Sequence, residues 1–263
     1  MNIIKDKIYR SVLIAVTLVC MLSFVNPVQI WAADSDEIVS NHIDGLIEFE
    51  GNYKDADIWG ENKYKEWRES LTDKEKETIK KYTKNGYEMI NFYLREMKGK
   101  LINEFLYESL NLQINILDKV LKKTETETPI TVYRSVSHKM LGIDDIVSRI
   151  YEKNEGKMDD HEAAYFSEVK KKLKGKVITN YGYMSSSLSK RLDGKILNGE
   201  YDVLIKIKLP AGTNAAYIGN LSIYPAETEM LVARGFEYQI EDLSWIVLNG
   251  EKILEISAKG IKK

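Results

Sequence analysis

Apolar residues recur every three to four positions in the first part of the chain and every second position in the last part, so helices should precede strands. The helical period runs from Asp34 to about Lys123. Leu71-Thr72-Asp73-Lys74-Glu75 carries a capping box, Thr72 with Glu75, ahead of Ile79. Tyr87, Ile90, Asn91 and Leu94 share one face of the next helix, and Ile102 to Leu121 reads as one long amphipathic helix. Pro129 ends that region, and Ile130-Thr131-Val132-Tyr133-Arg134 predicts a strand. Residues 141–174 predict two further helices. Val203, Ile205, Ile207 and Leu209 then alternate with Leu204, Lys206 and Lys208 in a strand that Pro210-Ala211-Gly212 closes. Trp245 to Leu248 and Lys252 to Ile256 flank Asn249-Gly250, a strong hairpin turn. Helices first and strands later predict an α+β domain, with N-terminal helices packed on an antiparallel-rich β core.

The first 32 residues fall outside that pattern. Lys5, Lys7 and Arg10 precede an apolar run from Ser11 to Val25, Asn26-Pro27 breaks it, and Ile30-Trp31-Ala32-Ala33 follows. A secretory signal peptide cleaved at Ala32 or Ala33 is expected, with an uncleaved anchor helix as the alternative. The remainder, 33–263, contains no repeat and no Pro- or Ser-rich linker, so a single secreted domain is expected. The only cysteine, Cys20, lies in the discarded segment, which leaves no disulfide and no thiolate metal site. Removing Lys5, Lys7, Arg10 and Asp6 with the leader leaves 35 basic residues against 39 acidic ones, a net charge of −4. A nucleic-acid binder would need the opposite field.

Three histidines are present, His42, His138 and His161. His161-Glu162 begins like a zinc-protease helix, but Tyr165 stands where the second ligand should be, so it reads as surface polarity and no metal is expected. Neither a Gly-x-Gly-x-x-Gly nor a P-loop sequence occurs. What stands out is Tyr224-Pro225-Ala226-Glu227-Thr228-Glu229, a turn running into Met230-Leu231-Val232-Ala233. If residues 227–230 are extended, Glu227 and Glu229 stand about 7 Å apart on one face. Two acids so placed repel each other unless they meet a cation or do chemistry.

Two other segments combine with that pair: Val132-Tyr133-Arg134-Ser135 at a strand end, and Gly182-Tyr183-Met184-Ser185-Ser186-Ser187-Leu188. In this order and at these separations the three resemble the bacterial mono-ADP-ribosyltransferase toxins of the Arg–Ser-Thr-Ser–Glu-x-Glu class, which includes single-domain C3-like exoenzymes and the enzymatic components of actin-modifying binary toxins. Tyr82-Thr83-Lys84-Asn85-Gly86-Tyr87-Glu88-Met89-Ile90-Asn91-Phe92-Tyr93-Leu94-Arg95 is similar to that family's helix beside the NAD site. The resemblance covers about Trp67 to Ile256 and implies helices packed on a two-sheet β core.

The resemblance also implies roles. NAD, as substrate and without a metal, is cleaved at its nicotinamide–ribose bond through an oxocarbenium-like transition state, and a protein side chain captures the ribose. Glu229 matches the acid that holds the ribose and stabilises the growing positive charge; glycosidases meet the same charge with carboxylates. Glu227 matches the acid that engages the acceptor; in this class Glu there accompanies arginine, and Gln accompanies asparagine. A carboxylate can pair bidentately with a guanidinium and help remove its proton, whereas an amide cannot. Tyr224 matches a ring that meets the target protein. Arg134 matches the grip on the NAD phosphates, and Ser185 the hydroxyl that orients acid and ribose, with Ser187 supporting the backbone. Tyr82, Tyr87 and Asn91 are candidates for the adenosine–phosphate region.

The sequence departs from the family pattern in two places. Ser186 replaces the usual Thr, and Lys190 to Asn198 lacks a clear copy of the Phe and Arg that clamp nicotinamide and phosphate, Arg191 being a candidate for the second. The expectation is a secreted, monomeric transferase that modifies an arginine of a host protein such as actin, with some NAD hydrolysis. The alternatives are a Rho-type asparagine transferase and an inactive binding module of the same fold.

Overall fold

The computed structural model describes residues 45–153, 162–190, 203–248 and 250–262. Helices α1 (Tyr53–Lys63), α2 (Lys65–Glu69) and α3 (Asp73–Lys81) open it, followed by a π-turn at Tyr82–Gly86 and helix α4 (Tyr87–Glu96). Helix α5 (Glu108–Leu121) leads to strand β1 (Ile130–Val136). Helices α6 (His138–Leu141), α7 (Asp144–Lys153) and α8 (Glu162–Leu173) separate β1 from β2 (Val177–Asn180) and β3 (Met184–Ser187). The remaining strands are β4 (Val203–Leu209), β5 (Ala215–Tyr217), β6 (Glu229–Val232), β7 (Phe236–Leu248) and β8 (Glu251–Gly260).

The predicted capping box is present: Thr72 Oγ1 accepts from Glu75 N, and the Glu75 carboxylate accepts from Thr72 N at 2.9 Å. Lys123 Nζ also donates to that carboxylate, at 2.7 Å, which ties the start of α3 to the end of α5. The helix expected over 102–121 begins only at Glu108, after a 3₁₀ turn at Phe105–Tyr107. Ile102 N donates to Tyr93 Oη, Asn111 Nδ2 donates to Ile102 O, and Tyr107 stacks on Tyr93 at 4.7 Å. Those tertiary bonds hold residue 102 to α4 and satisfy its backbone outside a helix. Apolar period was a weaker constraint than these contacts.

The strands hydrogen-bond in one order, β2-β7-β8-β4-β1-β3-β6-β5, and among the described strand pairs only β4–β8 runs parallel. A two-sheet core was expected, and a trace of it survives. Strand β1 joins β4 over seven residue pairs but joins β3 through the single pair Tyr133↔Ser187. The eight-stranded sheet is therefore a five-stranded and a three-stranded part hinged at one point. Helices α4 and α5 bury Ile90, Leu94, Ile114 and Leu117 completely. The hairpin predicted around residue 250 closes β7 on β8, with Gly250 at φ 87°, the left-handed region such a tight turn requires. Both strands run several residues further than the alternating pattern suggested.

Candidate active site

The single-pair junction of the sheet is where the candidate residues meet. Arg134 comes from β1, Ser185 from β3 and Glu229 from the first position of β6, so three consecutive strands in the sheet order each supply one. Glu229 is 6% exposed, although it is a carboxylate at a strand end. Burial pushes its pKa up from 4.5 to about 7. Hydrogen bonds from Ser185 and Ser222 oppose that rise, and the negative charge of Glu227 adds to it. A carboxyl that changes protonation near neutrality is poised for acid–base or charge-stabilising work, and burial sharpens every electrostatic contact it makes.

The expected extended Glu-x-Glu is not what forms. Pro225–Glu227 is a 3₁₀ turn, Thr228 adopts φ 46° and ψ 46°, and extended structure starts only at Glu229. Proline sets the turn, and the left-handed Thr228 then reverses the direction of the chain, so Glu227 is exposed while Glu229 is buried. A β-branched residue in that region is an outlier that costs on the order of 1–3 kcal/mol. Three bonds hold it there. Thr228 Oγ1 lies 2.7 Å from Ser187 Oγ, Leu188 N donates to Thr228 O at 3.0 Å, and Ile218 N donates to Glu229 O at 3.0 Å. Ser187 thus supports the backbone, as anticipated, and Ser186 Oγ donates to Met230 O at 2.8 Å.

The two acids consequently face different surroundings. Glu227 shares an exposed turn with Tyr224, which is 52% exposed. That turn is anchored at its base, where Ile223 N donates to Thr83 Oγ1 at 3.2 Å and Tyr224 N donates to Ser222 Oγ at 3.1 Å. Ser222 therefore touches both the turn and Glu229. The sequence reading missed it, and no spacing rule marks an isolated serine ahead of a proline turn.

Tyr82 lies beneath the same junction. Its phenol is buried, accepts from Asn91 Nδ2 at 3.0 Å, and has its pKa raised mainly by burial. It feels the charges of Glu229, Arg134 and Arg95 together. Half-buried Arg134 acts on the Tyr238 phenol as well. Arg95, on the exposed side of α4, is thus a second cation whose charge reaches the Tyr82 phenol, and it received no role in the sequence reading. Asn91 Oδ1 accepts from Tyr183 N at 2.9 Å, and Tyr87 is half-buried edge-on to Tyr82. Tyr82, at 1% exposure, and Asn91 form a floor under Gly182 and Tyr183.

The segment that lacks a clear copy of the cofactor clamp is described only at its first residue: Lys190 Nζ pairs with Glu255 at 2.6 Å, and Arg191, the candidate for the clamp arginine, lies with the rest to Asn198 outside the described residues. His161 also lies outside them, and Tyr165 is a core residue rather than a surface one. Among the described residues no cluster of His, Cys, Asp and Glu could hold a metal, and no helix is long and apolar enough to cross a membrane. A hollow of about 500 Å³ lined by Leu101, Asn103, Phe105 and Leu112 contains none of the candidate residues.

The sequence profile of the ADP-ribosyltransferase exoenzyme family matches residues 56–263. The chain is 31% identical over 192 residues to "Mono-ADP-ribosyltransferase C3" of Clostridium botulinum D phage, covering 73% of this chain and 71% of that one. Its fold is similar to that of BECa, the ADP-ribosylating toxin of a C. perfringens binary enterotoxin, solved with NADH. The TM-score is 0.68 at 25% identity, over 82% of this chain and 50% of BECa. It is also similar to C3stau2 from S. aureus solved with NAD, with a TM-score of 0.66 at 27% identity, over 83% of this chain and 99% of that one.

Proposed function

Because the chain belongs to the ADP-ribosyltransferase exoenzyme family, we propose that it cleaves NAD at the nicotinamide–ribose bond and transfers ADP-ribose to an arginine of a host protein. The observation that carries this reading is the pair of unlike acids, Glu229 buried at a strand start with its pKa near 7 and Glu227 exposed one turn earlier. Arg134 and Arg95 supply the positive charge that a pyrophosphate needs. As the bond to nicotinamide breaks, the Glu229 carboxylate offsets the positive charge growing on the ribose, held in line by Ser185 and Ser222. Nicotinamide leaves with the bonding electrons, a guanidinium nitrogen bonds to the ribose carbon, and Glu227 takes up the proton that nitrogen sheds. Tyr224 offers the acceptor protein an exposed ring beside Glu227. Residues 1–32 would direct the protein out of the producing cell, and 33–263 would act as one domain and as a monomer.

The similarity to C3 enzymes favours a second reading, transfer to an asparagine of a Rho-type GTPase. Glu227 argues for arginine, since only a carboxylate can both pair with a guanidinium and accept its proton. Glu227→Gln decides between them. For an arginine enzyme it should cut protein transfer by roughly 100-fold or more while NAD hydrolysis falls only a few-fold, in line with loss of one general base. Equal loss of both activities, or unchanged transfer, would remove Glu227 from the acceptor step. Absence of any NAD hydrolysis by the native protein would indicate a binding module that keeps the fold.

A further inference from the structure

The β3–β6 ladder that brings Ser185 to Glu229 has only four residue pairs, from Met184↔Val232 to Ser187↔Glu229. Slipping such a ladder by one residue turns every side chain to the opposite face, so Ser186 would replace Ser185 beside the acid. The Glu229 end is locked by Ser187, Thr228 and Leu188, as described above. At the other end a single carboxylate on α5 reaches both strands. Asp118 Oδ1 accepts from Tyr183 Oη at 2.7 Å, one residue before the ladder begins on β3. Arg234, two residues past the end of β6, holds the same carboxylate through Nε at 2.9 Å and Nη2 at 2.8 Å, while its Nη1 donates to Gly99 O at 2.7 Å. Tyr183 Oη also meets Ile114 O at 2.9 Å.

We propose that Asp118 is a positioning residue for the reaction: by pinning Tyr183 and Arg234 to one helix it fixes the register of β3 against β6, and with it the Ser185–Glu229 hydrogen bond. Three observations argue for a clamp rather than incidental packing. The carboxylate bonds to both strands at once, through side chains that flank the ladder on its open end. Its partner Arg234 uses its guanidinium fork, which is geometrically demanding. The network continues without a break through Tyr183 N to Asn91 and on to Tyr82, whose phenol senses Glu229 and Arg134. Asp118 thus acts on the chemistry through the placement of Ser185 and Glu229.

The inference rests on the proposed NAD cleavage, and the test separates the two. Asp118→Asn and the milder Arg234→Lys are compared with the native protein in NAD hydrolysis, with thermal melting to establish that each is folded. Misplacing a catalytic group by about 1 Å can cost 100-fold in rate. The expected result is a kcat at least tenfold lower, with KM for NAD changed less than about twofold. The acid limb of the kcat/KM profile should also move upward from about 7, because Glu229 loses the Ser185 bond that lowers its pKa. The groups facing Glu229 are Glu227 from the preceding turn, Ser185 and Ser222, and the Tyr82 phenol; neither substitution replaces any of them, so a moved limb reports the displacement of Ser185. Lowered melting temperatures with native kcat and a native pH profile would overturn the positioning role. Should Asp118→Asn fail to fold, the same comparison for Arg234→Lys decides the matter. An inactive native protein would instead overturn the underlying reading.

Discussion

Replacing Ser185 by Ala tests the electrostatic account of Glu229 where it is most exposed to failure. In the folded chain burial raises the Glu229 pKa to about 7, and the Ser185 hydroxyl is the foremost influence opposing that rise. Under the proposed function the acid works as a carboxylate, so activity should be lost as pH falls through this value. Removing the hydroxyl withdraws a hydrogen bond made preferentially to the charged form, and the pKa must rise further. A hydrogen bond to a charged group contributes roughly 1.5–3 kcal/mol, and the solvent exposure of Ser185 puts this one near or below the lower bound. At 1.36 kcal/mol per unit that is a shift of about one pH unit. The measurement is kcat/KM for NAD hydrolysis across about pH 5.5–9, which reports the free enzyme's essential groups. The native profile should bend near pH 7 and the Ser185→Ala profile near pH 8, with a plateau about tenfold or more lower because the carboxylate has also lost its orientation. An acid limb that stays in place, or moves to lower pH, would refute the reasoning.

Other consequences follow from the same geometry. A carboxyl whose pKa rises from 4.5 to about 7 on folding destabilises the fold progressively as pH rises through that window, by about 3 kcal/mol above it. Glu229→Gln should therefore abolish NAD cleavage and yet melt at a higher temperature than the native protein at pH 8, with little difference at pH 5; equal melting at both pH values would contradict the burial of the charge. At Gly182 a Cβ would stand 2.5 Å from Asn91 Oδ1, the atom that accepts from Tyr183 N. Gly182→Ala should cost roughly 1–3 kcal/mol in urea unfolding and lower kcat as well, and a native unfolding midpoint would show that the floor yields freely.

How much of this was legible beforehand depended on whether the signal was local. The capping box of α3, the strand at 203–209 and the turn at Gly250 are set by neighbouring residues, and each formed where the pattern put it. The start of α5 was misread because Tyr93 and Asn111 capture Ile102, and those residues are neighbours only after folding. The candidate residues were found through three motifs in order, yet their spacing misled about geometry. Glu227 and Glu229 looked like two teeth of one strand, whereas Pro225 and a left-handed Thr228 separate them into an exposed and a buried acid. That separation explains better than an extended strand why two like charges so close in sequence could do different work. Ser222 and Asp118 were invisible in sequence because each acts through a long-range contact and neither belongs to a motif, whereas Arg95 closed the Tyr82–Arg95 segment without a role of its own.

The central claim is that this chain moves ADP-ribose from NAD to an arginine through Glu229 and Glu227. The most direct measurement incubates the protein with labelled NAD and a host-cell lysate, then identifies the modified side chain by mass spectrometry, with Glu229→Gln as the control. The account predicts a labelled protein carrying ADP-ribose on an arginine, and no label with the variant. A label on asparagine, or undiminished labelling by Glu229→Gln, would contradict it.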